Sequence, residues 1–181
     1  MKRLNTPKPN TADAGFTLLE ILVVVFIVAI LAAIAAPGWF RYITNRRVQT
    51  VQTELRQVME QAQTDARTRR AEYTLEILVD EEIPTVQVTD PGGTVRDIQL
   101  GNENINPNTV QLTMNMVGGG TVFSFDYQGV ISEPFVVDVQ PAGTGTGINA
   151  NSSCVAVISL IGGLASGRGG ECADFRTEIG L

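Results

Sequence analysis

Histidine is absent from all 181 residues of this chain. That removes the side chain most used for proton transfer near neutral pH and the commonest nitrogen ligand for zinc. Histidine-based catalysis and histidine metal sites are therefore excluded. Cysteine is nearly as scarce. Only Cys154 and Cys172 occur, with 17 residues between them, and a lone pair at that spacing makes a poor zinc site. If this segment lies outside the cytoplasm, Cys154 and Cys172 are expected to form a disulfide. Closing a loop of that size is worth roughly 3 kcal/mol in the chain-entropy picture. Two free or buried thiols are the alternative.

Basic residues are scarce in the second half. Residues 71–181 hold three, Arg96, Arg168 and Arg176, against 14 acids, a net charge of −11. A segment with that balance repels polyphosphates. Residues 39–70 have the opposite bias, with seven arginines against Glu54, Glu60 and Asp65, a net charge of +4. This stretch is suited to anionic lipid or to the acidic faces of neighbouring chains. Nucleic acid is not expected as a partner of the acidic part.

Catalytic motifs are lacking as well. No Gly-x-Ser-x-Gly elbow appears. Asp80-Glu81-Glu82 lacks the glycine and alternating oxygen ligands of a calcium loop and reads as a solvated turn. Gly118-Gly119-Gly120 lacks the lysine and helix of a phosphate loop. We expect no catalytic residues, no metal and no cofactor, and so no enzyme.

What the chain does have is one long apolar run. Gly15 is followed by Phe16, and residues 16–36 contain a single charge, Glu20. As a helix at roughly 1.5 Å per residue this run is about 31 Å long, enough to span a bilayer. A carboxylate within such a span is costly, about 2–3 kcal/mol near the centre and less near an end, and it calls for a partner. A secretory signal peptide fits poorly, because its apolar core is shorter and its cleavage site follows that core. An ordinary signal anchor is the plainer alternative. Lys2, Arg3 and Lys8 precede the run, and Arg41, Arg46 and Arg47 follow it closely, so the positive-inside rule does not orient it.

The text Gly15-Phe16-Thr17-Leu18-Leu19-Glu20 resembles the processing site of type IV pilins and type II secretion pseudopilins. The resemblance covers about residues 1–70. It implies cleavage between Gly15 and Phe16 by prepilin peptidase, then N-methylation of Phe16. It assigns Glu20 to assembly, pairing with the N-terminal amine of a neighbouring subunit. It makes Pro37 a helix-kinking proline. It also implies a single-pass protein of the bacterial inner membrane with its C-terminal domain in the periplasm, later incorporated into a pilus or pseudopilus filament. The implied partners are the peptidase, other pilin or pseudopilin subunits, the inner-membrane assembly platform and inner-membrane lipid.

Beyond the run the organisation is legible in outline. Residues 1–15 read as a leader, 16–36 as a transmembrane and filament-core helix, 37–70 as an amphipathic helical stem and 71–181 as a β-rich domain. Pro37-Gly38 is expected to bend the helix, because proline lacks the backbone donor and crowds the preceding turn. In the stem, Val48, Val51, Leu55, Val58, Met59, Ala62 and Ala66 recur at steps of three and four, giving one apolar stripe. Arg46, Arg47, Gln52, Arg56, Glu60 and Gln63 are placed on the other face. From Tyr73 onward, short β-prone runs are expected at 73–79, 85–89, 95–100, 110–116, 121–127, 135–139 and 154–160. Turn signals at Asp90-Pro91-Gly92-Gly93, Asn106-Pro107-Asn108, Gly118-Gly119-Gly120 and Gln128-Gly129 separate many of them. Residues 141–153 read as a long loop. The fold class is α+β: a long N-terminal α-helix packed on a small, mostly antiparallel β-domain.

Three further stretches resemble the GspH/FimT group of pilins. They are Glu54-Leu55 through Ala66-Arg67 with the following Tyr73-Thr74-Leu75-Glu76-Ile77, the Phe125-Asp126-Tyr127-Gln128-Gly129 hairpin, and Cys154–Ser159 with the glycine turn at 162–168. The resemblance implies a minor pilin or pseudopilin that acts in filament assembly. A type II secretion pseudopilin H-like subunit, a DNA-binding minor pilin for DNA uptake and a major pilin are the alternatives. In DNA-binding relatives the C-terminal turn is basic. Here 163–171 contributes one possible DNA contact, Arg168, beside Glu171.

Overall fold

The computed structural model describes residues 15–79, 81–101, 105–143 and 151–181. The leader to Ala14, Asp80 of the acidic turn and most of the expected 141–153 loop fall outside the described residues. The chain divides into two compact units, Met1–Phe40 and Arg41–Leu181.

Helix α1 runs over Leu18–Arg69. Thr17 opens it by accepting the Glu20 N–H on its hydroxyl at 3.2 Å, satisfying one of the donors a helix start leaves free. At the far end Arg70 takes a left-handed φ of 52°, and the Ala71 N–H returns to the Ala66 carbonyl at 3.1 Å. That arrangement closes the last turn. The helix continues through Pro37 and Gly38.

In the first unit, the large apolar side chains from Phe16 to Phe40 are 45–84% exposed. An 18-residue window there has a mean hydropathy of 3.1, and by length and composition the helix can cross a membrane.

In the second unit the helix has a buried side. Val48, Val51, Leu55, Met59, Ala62 and Ala66 are at most 3% exposed, as their spacing predicts. They enter one core with residues of two four-stranded antiparallel sheets. The first sheet has the order β3-β2-β1-β5, with β1 Tyr73–Leu78, β2 Thr85–Thr89, β3 Val95–Gln99 and β5 Val122–Phe125. The second has the order β4-β6-β7-β8, with β4 Val110–Met116, β6 Phe135–Pro141, β7 Ser153–Val157 and β8 Leu164–Arg168. A short helix, α2, follows at Gly170–Glu178.

Strands β6 and β7 are buried at every residue. Alternation explains this, because successive side chains point to opposite faces. Phe135, Val137, Val139, Val155 and Val157 join the main core, whereas Val136, Cys154 and Ala156 meet Cys172, Phe175 and Ile179 of the α2 region.

Four sequence expectations are corrected here. Segment 163–171 is not one glycine turn: it contains β8 and the start of α2. The expected strand 154–160 ends at Val157. Gln52 does not lie on the exposed face of the stem. It is 7% exposed, and its amide donates to the carbonyls of Cys154 at 2.8 Å and Gly167 at 3.0 Å. Gln63 likewise turns inward and donates to the carbonyls of Gly129 at 2.9 Å and Gly162 at 2.8 Å.

Candidate processing and assembly site

The N-terminal site is built along one helix start. Gly15 and Phe16 precede the helix and are exposed, with nothing within 4 Å of where a Gly15 side chain would begin. Glu20 is exposed in the first turn, with Thr17 as the cap. The sequence reading singled out Glu20 but missed Thr17. The Thr-x-x-Glu spacing of a capping box was the available signal. A first-turn carboxylate also meets the positive end of the helix dipole, a local benefit separate from any pairing between subunits. Glu20 and Pro37 lie along this single helix, and Phe16 directly precedes it.

The second cluster lies behind the second sheet. Cys154 and Cys172 form a disulfide, with their Cα atoms 5.9 Å apart. Cys154 lies directly across from Asp138 in the β6–β7 register. Asp138 is 2% exposed; it accepts from Asn115 at 2.7 Å and forms an ion pair with Arg176 of α2. Burial raises the Asp138 carboxyl above its ordinary pKa, an effect the Arg176 guanidinium and the Asn115 amide partly oppose. Asp138 Oδ1 and Arg176 Nε are buried without a hydrogen-bond partner among the described residues. A carboxylate oxygen and the two sulfurs lie within 4.8 Å of one another. The sulfurs are bonded to each other, however, and offer no thiolate to a metal. The cluster fastens α2 to the sheet covalently, ionically and through the apolar contacts of Phe175 and Ile179.

Arg168, the candidate DNA contact, ends β8 and is exposed. Its backbone N–H donates to the Glu171 carboxylate at 3.0 Å. The arrangement therefore sets an acid beside the one arginine that this segment offers.

The Phe125-Asp126-Tyr127-Gln128-Gly129 text has a geometric basis. Phe125 is fully buried, and the Asp126 carboxylate accepts from the Gln128 and Val130 N–H groups, each at 2.8 Å. Gly129 takes a φ of 73°, which side-chain-bearing residues rarely adopt. Gln63 and Arg67 then hold the turn to α1, Arg67 donating to the Gln128 carbonyl at 2.9 Å. Gly162 approaches the Gly129 carbonyl so closely that a Cβ there would collide with it.

Comparison with known proteins bears on both ends of the chain. Residues 10–36 match the prokaryotic N-terminal methylation motif. No curated protein matches the chain by sequence. Among solved structures, the type IV minor pilin FimU of Pseudomonas aeruginosa aligns with a TM-score of 0.52 and 14% identity, covering 69% of this chain and 91% of FimU. The minor pseudopilin EpsH of the Type 2 Secretion System of Vibrio cholerae aligns with a TM-score of 0.48 and 14% identity, covering 67% of this chain and 97% of EpsH. The N-terminal methylation motif of prepilins thus stands, in this chain, at the head of a domain with the fold of a type IV minor pilin.

Proposed function

We propose that this chain is a structural subunit, a minor pilin or pseudopilin, of a type IV pilus or related filament. The observation that carries the reading is the placement of the methylation motif, residues 10–36, over an exposed apolar helix that leads into a pilin-fold domain. Prepilin peptidase cuts between Gly15 and Phe16 and methylates the new amine. The apolar helix holds the precursor in the inner membrane, with the C-terminal domain in the periplasm. On assembly the helices of many subunits leave lipid and pack against one another. Glu20 then pairs with the Phe16 amine of an adjacent subunit, because a carboxylate left alone in an apolar filament core is strongly penalised. Pro37 supplies a bend between the membrane span and the stem. The role is assembly rather than catalysis.

Mass spectrometry of the membrane-extracted protein tests this reading. The expected N-terminus is N-methylated Phe16, and Gly15→Val blocks its formation by placing a β-branched side chain at the scissile position. A mature protein that begins at Met1, or beyond Ala36, contradicts the proposal.

A further inference from the structure

The first sheet ends in an open strand beside an acidic groove. Strand β3 is the outermost member of the order β3-β2-β1-β5, and among the described residues it pairs on one side only, with β2. The Asp90 N–H bonds the Thr94 carbonyl, and the Leu100 N–H bonds the Pro84 carbonyl. The alternation of an antiparallel ladder then turns the backbone groups of Arg96 and Ile98 inward to β2 and those of Val95, Asp97 and Gln99 outward. Alongside lies a groove of about 430 Å³ between β3 and α1. Its apolar lining includes Val58, Ala62, Val88 and Ile98, and Val58 and Ile98 remain only partly covered. Glu54 and Asp65 of α1 line the same groove with Arg96. Among the described residues neither carboxylate is in an ion pair: Glu54 accepts the Gly101 N–H and Asp65 accepts the Gln61 amide.

An unpaired strand edge is a template for another strand. A strand added here would have alternate side chains above the groove, where the partly covered Val58 and Ile98 lie. The two unpaired acids specify the charge of the incoming segment. We propose that β3 accepts an extended segment of another polypeptide as a fifth strand of this sheet, its groove-facing side chains apolar beside Val58 and Ile98 and basic beside Glu54 and Asp65. The segment would come from a partner protein, for example a neighbouring subunit. The binding itself does not depend on the filament reading, since it uses only the Arg41–Leu181 unit. Arg96 and Asp97 on the edge select against purely apolar strands, the usual protection of such edges from indiscriminate pairing.

The test uses the full-length protein in mild detergent and a fluorescent heptapeptide with threonine at every second position and valine or lysine at the positions between, so that valine and lysine share one face. Saturable binding is expected by fluorescence anisotropy. N-methylating alternate amides in one register removes the edge hydrogen bonds and should weaken binding about tenfold or more. N-methylating the other register should leave binding nearly intact. Ile98→Glu and the double change Glu54→Gln with Asp65→Asn should each weaken it. The methylated peptides leave the protein untouched, so a misfolded variant cannot mimic the result. Absence of saturable binding, equal loss in both methylation registers, or equal binding by a proline-interrupted peptide overturns the proposal. Because neither cleavage nor filament assembly enters the assay, its failure leaves the filament reading standing, and the reverse also holds.

Discussion

One helix, α1, serves two different surroundings. Upstream of Arg41 its large apolar side chains are all at least 45% exposed, and one acid, Glu20, is present in the first turn. Downstream it alternates, with a stripe from Val48 to Ala66 at most 3% exposed and Arg56 paired with Glu60 on its solvent side. The first stretch is apolar all round, as a helix must be if lipid or other apolar helices are to surround it. The second is apolar on one side because sheets cover that side and water the other. Continuous secondary structure therefore does not imply a continuous environment. The number of apolar faces carries that information.

The sharpest way to separate the two stretches is to change one residue in each and measure two different outcomes. Glu20→Leu is expected to lower incorporation into sheared filaments by about tenfold or more. Membrane insertion and unfolding of the β-domain should stay as they are, since the change only removes a charge from the apolar span. Incorporation at the wild-type level would erase the functional distinction. Leu55→Ala should do the opposite. It truncates a fully buried side chain and should cost about 2–5 kcal/mol in denaturant unfolding of the detergent-solubilised protein. Val28→Ala, in the exposed stretch, should shift the same unfolding by no more than about 0.5 kcal/mol.

Two smaller effects probe how the Arg41–Leu181 unit is fastened on its second side. Reduction of Cys154–Cys172 should lower stability by about 3 kcal/mol and free α2 to exchange its amide hydrogens faster. Unchanged stability would show that the ion pair and apolar contacts suffice. The last effect is the pH dependence due to Asp138. Its folded pKa lies above the ordinary 3.8, so the folded state holds the proton more tightly than the unfolded chain does. The Asp138 contribution to stability therefore falls as pH rises from about 3.8 through the raised value. Comparison of wild type with Asp138→Asn across that window should show a decline present only in wild type. A wild-type difference that rises with pH would mean that Arg176 outweighs burial.

Much of this architecture is legible in the residues because it depends on short-range pattern. The three-and-four spacing from Val48 to Ala66 specifies a helix with one buried side, and the alternation in Tyr73–Leu78 and Thr85–Thr89 specifies half-buried strands. Strand β8 and helix α2 were not legible. The text Leu164-Ala165-Ser166-Gly167-Arg168 has too few β-branched or alternating apolar residues to signal a strand, and it is held by pairing with β7. Helix α2 shows no apolar stripe of its own, and Cys172 is its sole buried residue. Its place depends on a disulfide and on a buried aspartate that arrives from another strand.

The sequence by itself determined the absence of histidine chemistry, the apolar span with its single acid, the sided stem and the positions of most strands along the chain. Each is a property of composition or of neighbours a few residues apart. Only the tertiary structure decided that Gln52 and Gln63 face inward, that Asp138 is buried beside Arg176, and that β3, among the described residues, is an outer strand paired only with β2. A glutamine is stable inside only where another segment presents unpaired carbonyls to its amide. The carbonyls that receive Gln52 lie more than 100 residues away along the chain, on β7 and β8. No local pattern encodes them, because burial of a polar group depends on the partner that three-dimensional packing delivers.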